Sequence, residues 1–222
     1  MVHIIPDSVF ESNCEIIVNT VNCHGVMGAG IALECSLRFP EMFEQYKKDC
    51  LAGKIRTGEI KIYECCEQKI LNFPTKGDEE REKSKIEYIE SGLMYFLQHY
   101  KEYGAKSIAF PPLGCSNGKL DFENEVKSVM LKYLSIVDDV DIYICMNSMG
   151  AQGLELRMTK YIKDVDIDDV IKNLSLDIDA EQLKLSIKQI DRFSQLASSK
   201  YLKNEEMYRK IWNYIHEKVV IK

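Results

Sequence analysis

A lysine follows an apolar run in the segment Leu71-Asn72-Phe73-Pro74-Thr75-Lys76-Gly77. The amine of Lys76 can act as a point charge, as a proton donor or, if it is desolvated, as a nucleophile. Asn72 offers both a hydrogen-bond donor and an acceptor. An isolated lysine at the end of a strand is usually a solvated loop residue, so the segment by itself leaves the role of Lys76 open.

Two glycine-rich segments also follow apolar runs and precede helix-like runs. Residues 19–30 read NTVNCHGVMGAG, and residues 111–120 read PPLGCSNGKL. Glycines let the backbone approach a ligand, and free N–H groups at a helix N-terminus favour an anion. The first segment has neither the P-loop spacing nor G-x-G-x-x-G. Either segment alone is explained by a tight turn. Together they suggest a diphosphate held from both sides, and two turns that bind nothing remain the open alternative.

The elements that must position these segments are strands alternating with helices. Apolar or alternating runs predict strands at 14–21, 59–65, 69–74, 107–110 and 140–146. Helical spacing predicts helices at 31–39, 40–53, 85–103 and 122–134. This alternation predicts an α/β fold with a sheet covered on both faces. Because ligands in such folds bind beyond the carboxyl ends of strands, we expect the three segments to meet there.

The pattern changes after Gly150, where strand-like runs end. We therefore predict two domains, an α/β domain at 1–150 and a helical extension at 151–222, joined by a linker at 149–153. Helical spacing covers 152–173 and 179–218, and Asp179 with Gln182 forms a predicted capping box. The extension carries no motif of its own. Covering the α/β core or self-association is the favoured role, and a partner protein is the alternative.

Composition narrows the class of protein. The chain has 222 residues, a net charge of −6 and eight cysteines. A chain of this length does not need disulfides, and neither a signal peptide nor an apolar run of about 20 residues is present. We expect a reduced, cytoplasmic protein with no membrane association. The adjacent pairs Cys23-His24 and Cys65-Cys66 lack the C-x-x-C spacing of zinc sites, so no metal and no cofactor are expected.

The order of these motifs resembles the macrodomain family, which binds ADP-ribose. The matching residues are Asn19-Thr20-Val21-Asn22, Gly25 to Ala32, Arg38-Phe39-Pro40, Asn72 to Lys76 and Leu113 to Gly118. The last two segments are similar to the DNA ADP-ribosyl glycohydrolase branch, antitoxins that oppose a DarT-like toxin. The resemblance covers residues 1 to about 150. It implies a macrodomain-like three-layer α/β/α sandwich with a central mixed sheet, to which the helical C-terminal extension is added.

The resemblance also implies a site, with Lys76 as the catalytic residue beside the anomeric carbon. Asn22 would face the distal ribose, and Ile17 and Val18 are candidates for contacting adenine. The residues that would bind the ADP-ribose moiety of the substrate are Asn22, Val26, Met27, Gly28, Ala29, Gly30, Ile31, Asn72, Thr75, Leu113, Gly114, Cys115, Ser116, Asn117 and Gly118. A related branch pairs its lysine with an aspartate inside the second loop. Here Asp121 follows that loop and is expected to cap the next helix.

The implied reaction is hydrolytic removal of ADP-ribose, with thymidine in ADP-ribosylated single-stranded DNA as the favoured acceptor. A DarT-like toxin is the implied partner. The alternatives are a non-catalytic ADP-ribose-binding module, an antitoxin acting by protein contact, and an enzyme that acts on ADP-ribosylated protein. Lys76 favours an enzyme, because a binding module has no need of a lysine at the anomeric carbon. The charged run at 78–83 predicts a solvated loop that could gate the site.

Overall fold

The computed structural model describes residues 1–65, 68–79 and 82–220. The chain divides into two compact units, Met1–Ser148 and Met149–Lys222. Cys66, from the pair considered as a zinc motif, and residues 80–81 of the charged run lie outside the described residues.

One six-stranded mixed sheet organises the described part of the first unit. Its strands are β1 (Val2–Ile5), β2 (Ile16–Val21), β3 (Lys61–Cys65), β4 (Gln68–Pro74), β5 (Ser107–Phe110) and β6 (Asp141–Cys145). The spatial order is β1-β6-β5-β2-β4-β3, and every neighbouring pair is parallel except β3 with β4. The sequence pattern did not indicate β1, because four mostly half-buried residues at a sheet edge give little apolar periodicity.

The helices of the first unit are α1 (Gly30–Arg38), α2 (Pro40–Leu51), α3 (Ile86–His99) and α4 (Lys127–Leu134). The predicted helix at 85–103 ends in a 3-10 turn, Tyr100–Tyr103, and the one at 122–134 begins with a π-helical turn, Phe122–Val126. Asp121 caps that turn by accepting a hydrogen bond from Asn124 N at 2.9 Å, as predicted.

Two apolar clusters lie on opposite faces of the sheet. Ile16 and Val18 of β2 belong to a cluster that includes Phe96 of α3. Ile17 belongs to the other cluster, which includes Tyr46 of α2. Because successive side chains of a strand point to opposite faces, β2 is buried on both sides. The predicted three-layer α/β/α sandwich with a mixed sheet is confirmed.

Helices joined by turns and loops make up the described residues of the second unit. It contains α5 (Gly153–Asp164), α6 (Ile167–Leu174), α7 (Ala180–Gln189), a 3-10 segment (Phe193–Ser198) and α8 (Glu205–Val220). The predicted helices at 152–173 and 179–218 are therefore each interrupted. Val165 has extended backbone, and Asp166 is the N-cap of α6. The C-cap residue of α7, Ile190, also has extended backbone, so the helix ends there. Asp179 caps α7 through a 3.0 Å hydrogen bond from Gln182 N, as the capping signal indicated.

Trp212 of α8 is buried in the second unit, together with Ile211 and Ile215. Its ring stacks on that of His216, with centroids 4.5 Å apart. Among the described residues, no helix is both long enough and apolar enough to cross a membrane.

A buried carboxylate joins α2 to β3. The residue Asp49 is 2% exposed, and its Oδ2 accepts hydrogen bonds from Lys61 Nζ at 2.6 Å and from Tyr63 OH at 2.9 Å. Gln45 Nε2 donates to Oδ1 at 3.3 Å. Burial by itself raises the pKa of the Asp49 carboxyl, but the hydrogen bonds from Lys61 and Tyr63 outweigh it, so the pKa lies below its ordinary value.

We expect Asp49→Asn to lower the free energy of unfolding by about 1–2 kcal/mol at pH 7, because a charged acceptor is lost from a buried network. A depressed carboxyl pKa adds stability above the unfolded pKa of about 3.9, and that stability is lost as pH falls through the folded pKa. In urea unfolding between pH 6 and pH 2, the free energies of unfolding of wild type and Asp49→Asn should therefore converge as the pH falls. A difference that stays constant down to pH 2 would contradict this assignment.

Candidate active site

The first glycine-rich segment and the lysine segment run side by side beyond the carboxyl ends of β2 and β4. Val21 is the register partner of Pro74, and Thr75 N donates to Val21 O at 2.9 Å. Cys23 N donates to Gly77 O at 2.9 Å, and Cys23 Sγ donates to Lys76 O at 3.3 Å. The backbone on which Lys76 stands is thus attached to the first segment.

The second glycine-rich segment reaches Lys76 through its side chain. Lys76 Nζ donates to the backbone carbonyl of Asn117 at 2.8 Å. Gly30 has a φ of +57°, and a Cβ at that position would lie 2.9 Å from Asn117 Nδ2. The structure therefore brings the three segments together at one edge of the sheet.

Two features lower the pKa of the Lys76 amine from its ordinary value. The larger is partial burial, which disfavours the charged form, and the second is the positive charge of Lys119. Glu82 acts in the opposite direction. A lysine with a lowered pKa is a better nucleophile and also a better proton donor at neutral pH.

The amide of Asn22 organises the first segment. Its Oδ1 accepts hydrogen bonds from His24 N at 3.0 Å, Val26 N at 3.3 Å and Tyr46 OH at 3.0 Å, and its Nδ2 donates to Val26 O at 2.6 Å. Gly25 occupies the left-handed region within this loop. A side chain with this many contacts to its own loop fixes the loop conformation, and the contact of Asn22 with a ribose stays a prediction.

Four of the predicted binding residues have side chains directed into the interior: Met27, Asn72, Thr75 and Leu113. Asn72 Oδ1 accepts from Asn19 Nδ2 at 2.8 Å, and Asn72 Nδ2 donates to Met42 Sδ at 3.5 Å. The side chain of Asn72 thus forms a buried amide pair between β2 and β4, and its contact with a ligand stays a prediction.

Asn19 was not among the predicted site residues, although it pairs with Asn72 across the strands. Its sequence signals were its place in the matching motif and an amide inside an apolar run, where a polar side chain must find a buried partner.

The remaining predicted residues lie closer to the surface or in tight turns. Val26 is 51% exposed. The others that are exposed are Ala29, Gly30, Ser116 and Asn117, and those that are half-buried are Asn22, Gly28, Ile31 and Cys115. Gly114 and Gly118 are buried against Ser84, whose Cβ lies 2.9 Å from the site of a Cβ on either glycine. Ser84, another residue that sequence reasoning missed, also donates its backbone N–H to Gly118 O at 3.0 Å.

The thiols near the site are poor nucleophiles. Burial raises the pKa of Cys23 and of Cys115 to about 11. Both thiols are free of disulfide bonds, and no cluster of metal-ligating side chains occurs among the described residues. His24 is exposed, as expected for a loop residue.

Comparison with known proteins connects this geometry to a family. The family model of the Macro domain matches residues 18–129. The DNA ADP-ribosyl glycohydrolase of Mycobacterium tuberculosis is 40% identical over 157 residues, which cover 67% of this chain and 44% of that protein. The DNA ADP-ribosyl glycohydrolase of Thermus aquaticus is 36% identical over 148 residues, which cover 65% of this chain and 41% of that protein. The chain thus spans less than half the length of these curated relatives.

Solved structures agree with this result. The macrodomain of Mycobacterium tuberculosis DarG is 38% identical, with a TM-score of 0.62, and the match covers 66% of this chain and 99% of that one. Thermosipho africanus DarTG in complex with ADP-ribose is 30% identical, with a TM-score of 0.59, covering 67% of this chain and 42% of that one. The resemblance read from the motifs is confirmed, and the chain belongs to the Macro domain family.

Proposed function

We propose that the chain is an ADP-ribosyl glycohydrolase that cleaves the N-glycosidic bond between ADP-ribose and a modified substrate. The observation that carries this proposal is the contact of Lys76 Nζ with Asn117 O at 2.8 Å. It holds an amine of lowered pKa between two glycine-rich loops, where a module that only binds ADP-ribose has no use for it. The predicted binding residues listed above are proposed to form the surrounding pocket.

The anionic part of ADP-ribose fits the start of α1. This helix begins at Gly30, and Ala29 at its N-cap gives no side-chain hydrogen bond to the first turn. Backbone N–H groups without a partner at a helix N-terminus favour an anion. We propose that the diphosphate lies between this turn and the loop at 114–118.

Lys76 supplies the chemistry in this proposal. Cleavage builds positive charge at the anomeric carbon, and the leaving base must gain a proton. The ammonium form of Lys76 can donate that proton while water attacks the anomeric carbon. Alternatively, the free amine attacks the anomeric carbon and displaces the base, which takes its proton from the amine, and water then cleaves the adduct to release ADP-ribose and free Lys76. The side chain of Asp121 caps the helical segment after the second loop, so an aspartate partner for Lys76 is not part of the proposal.

The favoured substrate is thymidine that carries ADP-ribose in single-stranded DNA. Relatives at 36–40% identity are named DNA ADP-ribosyl glycohydrolase, and another relative is a fusion of a DNA ADP-ribosyl transferase with that glycohydrolase. A toxin of the DarT type is the proposed partner. Because the net charge is −6, we propose that the enzyme grips its substrate mainly through ADP-ribose and hardly through DNA phosphates.

Residues 1–150 are proposed to be the catalytic domain, and residues 151–222 a helical extension. The test is direct. The protein is incubated with an oligonucleotide ADP-ribosylated on thymidine and, separately, with an ADP-ribosylated protein, and free ADP-ribose is measured. Release of ADP-ribose from the oligonucleotide supports the proposal. Release from the protein alone would show that the acceptor is protein and not DNA. Binding of ADP-ribose by calorimetry without release from either substrate would make the chain a binding module.

A further inference from the structure

Glu82 departs from the solvated loop that its charged surroundings predict. Its side chain is only 9% exposed. Oε2 accepts a hydrogen bond from Gly77 N at 2.6 Å, and Oε1 accepts from Tyr88 OH at 3.0 Å and contacts Lys85 Nζ at 2.7 Å. The hydrogen bond from Lys85 is the largest of the effects that hold the pKa of this carboxyl below its ordinary value. Glu82 is therefore a fixed anion.

The group that Glu82 holds is the peptide directly after Lys76. On one side of this backbone Cys23 donates to Lys76 O and to Gly77 O, and on the other side Glu82 accepts from Gly77 N. A Cβ on Gly77 would overlap Glu82 Oε2, so the carboxylate fits against this position only because residue 77 is glycine. Lys76 thus projects toward Asn117 from a backbone that is attached on both sides.

We propose that Glu82 is a positioning residue, which aims Lys76 at the reacting carbon by fixing the Gly77 peptide. This inference rests on the proposed glycohydrolase activity. Glu82 does not touch the Lys76 amine, so it acts through the backbone and through its charge. The charged groups that act on Lys76 are Lys119 in the second loop and Glu82 itself.

Removing the carboxylate should lower the turnover rate but leave binding intact. We expect Glu82→Ala to reduce kcat for ADP-ribose release about 10- to 100-fold, since small displacements of a reacting group have effects of this size. KM and the Kd for ADP-ribose should stay within about twofold. Glu82→Gln, which can still accept from Gly77 N, should recover part of kcat. The matched control is Glu79→Gln, an exposed carboxylate of the same loop, which should behave like wild type.

A double-mutant cycle with Gly77 tests the contact itself. Gly77→Ala should reduce kcat by displacing Glu82. In the Glu82→Ala background, Gly77→Ala should leave kcat almost unchanged. Additive losses would show that the two residues act separately, and the inference would be wrong. The inference would also be wrong if Glu82→Ala kept the wild-type kcat, or if Glu79→Gln reduced kcat as much as Glu82→Ala.

A second readout does not depend on turnover. The Cε resonance of Lys76 is followed by NMR as a function of pH in wild type, Glu82→Gln and Glu79→Gln. Glu82 favours the charged amine, so its neutralisation should lower the pKa of Lys76, while Glu79→Gln should leave it unchanged. If wild type releases no ADP-ribose, the proposed function fails. The positioning is then decided at the Gly77 amide, whose hydrogen exchange should be faster in Glu82→Ala than in wild type and unchanged in Glu79→Gln. Equal exchange in wild type and Glu82→Ala overturns the positioning.

Discussion

Lys76→Ala should lower kcat for ADP-ribose release by about 10²- to 10⁴-fold, the usual contribution of a positioned acid–base group. The amine is held 2.8 Å from Asn117 O, between the two loops proposed to hold the diphosphate. Among the described residues, no other lysine donates to Asn117 O, so the contact is lost together with the amine. Affinity for ADP-ribose should change by no more than a few-fold, because the backbone of the loops remains. Single-turnover release and calorimetry measure the two quantities.

Two further lysine variants make the result specific. Lys119→Ala removes the cation that lowers the pKa of Lys76, so the Lys76 pKa should rise and turnover should fall only modestly. Lys76→Arg keeps a positive charge but cannot release its proton at any accessible pH, so it should be nearly as inactive as Lys76→Ala. Wild-type turnover by Lys76→Ala, with normal ADP-ribose binding, would remove Lys76 from the mechanism.

The second large effect concerns the helix that packs on the strand before Lys76. Gly92→Ala in α3 should destabilise the first unit by about 3 kcal/mol, toward the upper end of what overpacking costs. A Cβ at residue 92 would overlap the fully buried ring of Phe73 and lie 2.6 Å from its Cε1. Helix propensity alone predicts the opposite sign, since alanine is favoured over glycine by about 1 kcal/mol. Thermal and urea unfolding measure the net effect.

The ring of Phe73 provides the control for this prediction. Phe73→Leu removes the ring atoms that a Cβ at residue 92 would meet, so Gly92→Ala should cost much less in that background. Ser91→Ala, on the exposed side of the same helix, should change stability by less than about 0.5 kcal/mol. Equal costs of Gly92→Ala in both backgrounds would show that the ring of Phe73 is not what excludes the side chain.

The fold was largely predictable, because the central strands have strong periodicity. The run before Asn22 and the run SIAF are apolar on both faces, which is the pattern of buried parallel strands. The edge strand β1 escaped prediction because its burial comes from β6, more than 130 residues away in the chain. The breaks between α5 and α6 and after α7 depend on the residues that cap these helices. The spacing of apolar residues does not reveal such caps.

The candidate site was predictable in its segments and less so in the orientation of its side chains. Motif order identified the three loops that the structure brings together. It could not tell that Asn72 points into the core, since that depends on the register that places Asn19 beside it. Nor could charge patterning separate Glu82 from its exposed neighbours, because only the fold brings Gly77 N to its carboxylate.

The acceptor of the Lys76 amine is a main-chain oxygen, and this has a consequence for genetics. Every amino acid at position 117 carries that carbonyl, so alanine scanning would leave the contact with Lys76 in place. Natural variation of the side chain at this position likewise leaves the contact in place. Replacing the side chain of residue 117 therefore does not test the hydrogen bond that aligns Lys76. Only a change in the backbone at residue 117 would test it.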